Sequence, residues 1–187
     1  EGVVMGNLVV EAMIFAMQVH KDQKRKFTGN PYFNHLSEVA GIVGSVERKS
    51  DIVQAVAWLH DSIEDQGISP DEIEMRFGKH VRIGVEALSD LETGTREERK
   101  HLSRDRLAKQ PGWIQNIKVA DIISNCSSVL MHDQSFATVY LAEKRLLLEV
   151  LTKASPELLS VAWLMINANP FERSANVPAN STGSDLR

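Results

Sequence analysis

Trp58-Leu59-His60-Asp61-Ser62-Ile63-Glu64-Asp65 sets one imidazole and three carboxylates into an apolar helical pattern. Read as one helix, the adjacent His60 and Asp61 project about 100° apart around the axis, close enough for both to reach one ion. Four residues on, Glu64 stacks over His60 and Asp65 over Asp61, so the polar groups form one stripe on a single helix. Such a stripe is costly to bury without a cation. The competing reading is a solvated acidic helix end, and the flanking sequence decides between them.

Working outward, helical periodicity continues in both directions. Leu8, Ala12, Phe15, Ala16 and Val19 recur at helical offsets and predict an amphipathic first helix. It runs into Lys21, Lys24, Arg25 and Lys26. Asn30 then offers a cap and Pro31 a first position for a second helix, whose buried face is Leu36, Val39, Ala40 and Val43. Asp51 is the expected cap of a third helix, in which Ile52, Ala55, Val56 and Leu59 lead into the quoted stretch; Gln66-Gly67 ends it.

Ser69-Pro70-Asp71-Glu72 reads as a capping box with proline at the first helical position, opening a short helix that stops near Gly78. Val81, Val85 and Leu88 carry another to about Asp90. Thr95-Arg96-Glu97-Glu98 repeats the capping-box pattern ahead of a charged helix that Pro111-Gly112 breaks. From Trp113, Ile114, Ile117, Ala120 and Ile123 share one helical face, while Lys118, Asp121 and Asn125 fall together on another. Leu141, Leu148 and Leu151 follow, and Ser155-Pro156-Glu157 starts a last helix that Asn169-Pro170 terminates. With no alternating strand pattern and no repeat, the expectation is a single all-α domain over residues 1–169 and a polar surface tail over 170–187.

The composition limits the function classes. The 187 residues are 43% hydrophobic and 25% charged, which suits one domain with a sizeable core. A net charge of −4 gives no footprint for duplex nucleic acid or an anionic membrane, so an anionic ligand must meet a local basic patch. Cys126 is the lone cysteine; it can form no internal disulfide and no thiolate metal site, which points to a reducing compartment, by default the cytoplasm, and to nitrogen and oxygen ligands. No apolar run reaches the roughly 18 residues of a membrane span. Homo-oligomerisation is left open.

Six histidines compete for chemical roles. His80, His101 and His132 sit near turns or in polar helices and carry no ordered acidic partners. His35 follows the basic cluster and the rigid Pro31-Tyr32 step, His60-Asp61 lies in an apolar context, and Asp121 interrupts Val119-Ala120-Asp121-Ile122-Ile123. A carboxylate buried in such a run needs a partner. Two imidazoles and two carboxylates from three helices would suit Mn²⁺, Fe²⁺, Co²⁺ or Zn²⁺ with room for water.

The order His35, His60-Asp61, Asp121 resembles the HD superfamily of metal-dependent phosphohydrolases, which implies an HD-type helical bundle. Longer words are more specific: His20-x-x-Gln23-x-Arg25-Lys26, Gly29-Asn30-Pro31-Tyr32-x-x-His35, Leu59-His60-Asp61-x-Ile63-Glu64-Asp65, Phe77-Gly78-x-x-Val81 and Lys118-Val119-Ala120-Asp121-x-x-x-Asn125. Together they closely resemble the hydrolase domain of RelA/SpoT homologues, over about residues 8–150, and the chain looks like a free-standing small alarmone hydrolase. That family removes pyrophosphate from the 3′ position of ppGpp and pppGpp.

The resemblance implies His35, His60, Asp61 and Asp121 as metal ligands, with Mn²⁺ the usual ion. It implies Glu64 and Asp65 as the pair that positions and activates water, and Arg25 and Lys26 as phosphate contacts. Lys118 and Asn125, one turn either side of Asp121, would contact the nucleotide or support the ligand. Tyr140, Lys144 and Arg145 lie where the family has substrate contacts, though the local match is loose and a packed tyrosine beside two solvated cations reads equally well. Ser62, Gln66 and Ile122-Ile123-Ser124 depart from the family's usual residues without touching an implied ligand. The alternatives are hydrolysis of the NADPH 2′-phosphate or of another nucleotide, and a non-catalytic nucleotide-binding module.

Overall fold

The structure is a computed structural model that describes residues 7–132 and 134–167. Among them are ten helices: α1 (Leu8–Val19), α2 (Phe33–Val46), α3 (Asp51–Leu59), α4 (Ser62–Gln66), α5 (Pro70–Phe77), α6 (Lys79–Leu88), α7 (Arg96–Lys109), α8 (Gly112–His132), α9 (Gln134–Val150) and α10 (Pro156–Asn167). The one β feature is an isolated antiparallel bridge between Lys24 and Pro31. The tail expected from 170 onward, the Asn169-Pro170 stop and the side chain of His132 lie outside the described residues.

Local chemistry accounts for most boundaries. Asn7 caps α1, its side chain accepting from the Val9 and Val10 amides. Thr95 and Glu98 close a full capping box on α7. At α5 only half the expected box forms: Ser69 accepts from the Glu72 amide, but the Glu72 carboxylate turns outward to Arg76. Gly67 ends α4 at φ 64°, a left-handed residue whose N–H reaches Ile63 O at 3.1 Å while Ile68 N–H reaches Ser62 O.

Three expectations are corrected. Ser50 rather than Asp51 caps α3, because its hydroxyl reaches the Val53 amide at 3.3 Å. Asn30 and Pro31 do not open α2, which begins at Phe33. The Asn30 carbonyl instead accepts from Arg25 N–H at 2.8 Å and the Gln23 carbonyl from Tyr32 N–H at 2.9 Å, closing a loop over residues 23–32. The quoted stretch is also not one helix. α3 stops at Leu59, His60 closes it, and Asp61 at φ −100°, ψ 0° precedes the separate α4.

Two helices organise the packing. α1, α2 and α6 lie against α3, whereas α2, α9 and α10 lie against α8, and α7 braces α9. α8 is buried from Ile114 through Ser124 without a break, so the face holding Lys118 and Asp121 is as enclosed as its apolar face. Its polar core residues are partnered. Gln115 donates to Leu107 O and accepts from Lys153 N, and Asn116 joins Glu47 to the Ser155 amide. The register of α8 is thereby tied to the ends of α2, α7 and the α9–α10 turn.

Where α6 crosses α3, Gly84 leaves no space for a side chain: a Cβ there would stand 2.7 Å from a Val56 methyl and 2.9 Å from the Trp113 ring. Gly84→Ala is expected to destabilise the protein by about 1–3 kcal/mol despite its better helix propensity. Urea unfolding checks this; an unchanged midpoint would refute the close crossing.

Candidate metal centre and its cleft

The break at residues 60–61 has a chemical consequence. By ending α3, the chain turns both side chains toward α2 and α8 instead of spreading them around one axis. His35 comes from the first turn of α2 and Asp121 from the middle of α8. Donor atoms of His35, His60 and Asp121, all buried, lie within 4.8 Å of one another. Asp61 Oδ2 is 3.5 Å from His35 Nε2 and 3.0 Å from His60 Nε2, and Asp121 Oδ1 is 3.5 Å from His35 Nε2. The four residues named from sequence are thus brought together.

Hydrogen bonds on the far side of each ring show which nitrogen faces inward. His60 Nδ1 lies 2.8 Å from Ala57 O, which can only accept, so Nδ1 carries the proton and neutral His60 presents a bare Nε2. His35 Nδ1 lies 2.8 Å from Ser124 Oγ. His35 Nε2 and His60 Nε2 are buried and make no hydrogen bond among the described residues. Two buried ring nitrogens facing two carboxylates can be served by protons or, in the neutral rings, by a divalent cation with N and O ligands. The residues therefore fit the ion that the sequence implied.

The electrostatics agree. Burial disfavours charge on His60, but the Asp61 carboxylate, with help from Asp121, raises its pKa to about 9. Asp61 and Asp121 are held below the usual carboxylate range, against their own burial, by His60 and by Lys118 respectively. The cluster calls for positive charge, from a proton or from an ion. Below pH 9 the ion must displace the His60 proton, so affinity for Mn²⁺ is expected to rise with pH by about tenfold per unit up to about pH 9. Calorimetric titration at several pH values measures this, and pH-independent affinity between about pH 6 and 8 would contradict it.

Supporting contacts hold the carboxylates. Tyr32 donates its hydroxyl to Asp61 Oδ2 at 2.7 Å, Asn125 donates to Asp121 Oδ1 at 2.6 Å, and Lys118 lies 3.1 Å from Asp121 Oδ2. Lys118 is held above the ordinary lysine range despite burial, by Asp121, Asp90, Asp61 and Glu64. One residue past Asn125, the thiol of buried Cys126 is pushed up to about 11, chiefly by desolvation.

Glu64 and Asp65, on α4 just after the cluster's Asp61, are anchored by different neighbours. Glu64 Oε2 accepts from the Asp90 backbone N–H at 2.8 Å, beyond the end of α6. Desolvation there lifts its pKa to about 7, against the opposing pull of that N–H and of Lys118. Asp90 is itself pinned by Ser103, Lys100 and Arg106 of α7. Asp65 Oδ2 accepts from Gln23, which is also bonded to His20 and Gln66.

The expected substrate contacts separate. Arg25, Lys26, Tyr32, Asn125 and Tyr140 line one cleft of about 270 Å³. Lys118 and Lys144 line a different, narrow recess with Asp90, Lys100, Arg104 and Glu143. Lys144 stacks over the Tyr140 ring at 5.1 Å, and burial together with the like charge of Lys118 lowers its pKa. Arg145 is exposed. Arg25 is 8% exposed and donates to Glu38 Oε2 and Ser124 O, each at 2.9 Å.

Sequence reasoning gave no role to Tyr32, Gln23, Glu38 or Ser124. Tyr32 and Gln23 stood inside the quoted words, and Ser124 stood among the departures; Glu38 carried no signal.

Residues 12–157 match the HD domain family, and the chain belongs to it. Over 119 residues it is 37% identical to the guanosine-3′,5′-bis(diphosphate) 3′-pyrophosphohydrolase of Homo sapiens, a match spanning 63% of this chain and 66% of that protein. Over 102 residues it is 36% identical to the GTP pyrophosphokinase of Brucella melitensis, covering 54% of this chain but only 13% of that much longer protein. Among solved structures, a metazoan orthologue of SpoT that hydrolyses ppGpp superposes with a TM-score of 0.81 at 25% identity, over 90% of this chain and 99% of the other.

Proposed function

We propose that this protein is a divalent-metal-dependent hydrolase that removes the 3′-pyrophosphate of guanosine alarmones, converting ppGpp or pppGpp and water into GDP or GTP and pyrophosphate. The observation that carries the reading is the cluster of His35, His60, Asp61 and Asp121, with two buried, inward-facing ring nitrogens, followed in the chain by Glu64 and Asp65 and lying beside a cleft with basic and aromatic walls. The likeness to alarmone hydrolases supports the substrate class. The four residues would hold the ion, which we take to be Mn²⁺; once bound, such an ion polarises a phosphoryl oxygen and lowers the pKa of water.

The protein's own groups supply the remaining steps. Glu64, with a pKa near the working pH, accepts the proton of the attacking water, and the Asp90 N–H fixes the direction of its carboxylate. Asp65, tethered by Gln23, orients the water. Attack falls on the phosphorus bonded to the ribose 3′ oxygen, and the P–O bond to that oxygen breaks, the oxygen leaving as a hydroxyl with a proton drawn from solvent while Glu64 returns its own to solvent. Lys26 meets the phosphate charge that the protein's net charge of −4 would otherwise repel, while Tyr140 and Asn125 bound the nucleoside. With its single cysteine buried, the chain suits the cytoplasm.

The test is release of pyrophosphate by purified protein with Mn²⁺, across ppGpp, pppGpp, NADPH and ordinary nucleotides. Turnover confined to the alarmones supports the proposal. Phosphate release from NADPH alone would replace the substrate, and tight ppGpp binding without turnover under any divalent ion would make the protein a binding module.

A further inference from the structure

The basic cluster before α2 was expected to present Arg25 to phosphate, yet its guanidinium is turned into the protein. There it meets two groups no sequence pattern joins to it: Glu38, one turn beyond His35 on α2, and Ser124, one turn beyond Asp121 on α8. The donors and acceptors among these side chains have one consistent direction. Arg25 Nη1 donates to Glu38 Oε2 at 2.9 Å, so that oxygen is held as an acceptor. Ser124 Oγ lies 2.5 Å from the same oxygen and must spend its only proton there. Arg25 Nη2 also holds the Ser124 carbonyl at 2.9 Å, fixing the backbone that carries the hydroxyl. The same Nη2 lies 3.5 Å from Ser124 Oγ, which accepts from it; with the hydroxyl proton spent on Glu38, Oγ can offer His35 Nδ1, 2.8 Å away, only a lone pair, so His35 Nδ1 is the donor. In the neutral ring a proton on Nδ1 leaves Nε2 bare, and Nε2 is the buried atom that faces Asp61 and Asp121.

We infer that Arg25, Glu38 and Ser124 form a proton-ordering relay that locks His35 in the one tautomer able to ligate an ion, making Glu38 and Ser124 positioning residues for the metal centre. The inference rests on the metal reading of the cluster and deepens it. A ring free to place its proton on either nitrogen would spend part of its time with Nε2–H pointing at the ion position, where it can only repel. Partners of this kind typically change metal affinity by about 10–100-fold. His60 needs no such relay, because a backbone carbonyl fixes it. The two imidazoles therefore depend on different devices, one inherent in the α3 terminus and one assembled from three separated side chains.

The test uses the whole chain in four forms: wild type, Ser124→Ala, Ser124→Thr and Glu38→Gln. Two readouts apply: Mn²⁺ titration, and the ring ¹⁵N spectrum of His35 in ion-free protein, read for the tautomer of the neutral ring. Ser124→Ala is expected to weaken Mn²⁺ binding about 10–100-fold and to shift His35 from a pure Nδ1–H tautomer to a mixture. Ser124→Thr, which keeps the hydroxyl, restores both. Glu38→Gln, which retains an acceptor oxygen but loses the charge, falls between. A His35 that stays Nδ1–H in Ser124→Ala, with Mn²⁺ affinity within about twofold of wild type, overturns the relay. Should Ser124→Ala fail to fold, the Glu38→Gln ring spectrum decides: a wild-type tautomer overturns the relay and a mixture supports it. If the wild-type protein takes up no Mn²⁺, the metal reading falls instead, and the ring spectrum still decides the relay because it requires no ion.

Discussion

Asp61→Asn is expected to abolish pyrophosphate release from ppGpp while leaving the helical circular dichroism unchanged. Asp61 is the only residue of the cluster within 3.5 Å of both inward-facing ring nitrogens, and its Oδ2 also receives the Tyr32 hydroxyl. The amide keeps the size but removes the charge that balances an ion. Loss of residues that merely support a ligand costs about 10–100-fold, so removing one of the candidate ligands is expected to cost more than about 10²-fold in kcat/KM. A second signature separates lost chemistry from lost folding. In wild type, Mn²⁺ at about 100 times its Kd adds about 2.7 kcal/mol of stability, seen as a higher melting temperature. The variant is expected to melt at the same temperature with and without Mn²⁺. Retained turnover, or a retained Mn²⁺-dependent rise in melting temperature, would remove Asp61 from the centre.

The other large effect is at Glu64. Glu64→Gln is expected to lower kcat by about 10²–10⁴-fold, the usual contribution of a general base, with Mn²⁺ affinity unchanged. The substitution is informative because glutamine still offers an oxygen to the Asp90 N–H, so the turn after α6 keeps its anchor. Only the capacity to accept a proton goes. The wild-type rate is expected to climb through pH 7, where Glu64 ionises, and the variant to lose that step. If kcat in Glu64→Gln stays within about threefold of wild type, the base lies elsewhere, and Asp65 is the group to examine.

How much of this was legible in the sequence follows from the range of the interactions involved. The all-α fold was readable because apolar residues recur at helical offsets within each segment, and Ser69-Pro70 and Thr95 mark helix starts through bonds only three residues long. Helix identity in Trp58–Asp65 was readable; its break was not. Ile52, Ala55, Val56, Leu59 and Ile63 keep one period straight through residues 60–61, so nothing local marks the break at His60-Asp61, whose side chains meet groups from α2 and α8 far away in sequence. For the same reason, the Asn30-Pro31 cap looked sound until the Arg25–Asn30 bond consumed its carbonyl. The four clustered residues could be named from order and resemblance, but the surroundings of Arg25 could not. Its partners lie 13 and 99 positions away, a distance over which no local pattern carries information.

Cys126 gives this architecture a built-in clock. Its thiol sits on the same rigid, enclosed helix as Asp121, Ser124 and Asn125, with its pKa at about 11, and alkylating reagents attack only thiolate that they can reach. Labelling of this one atom therefore times the opening of α8, and with it the moment at which one wall of the centre comes apart. An ion clamped between α2, α8 and the α3–α4 junction slows that clock in proportion to the grip it exerts.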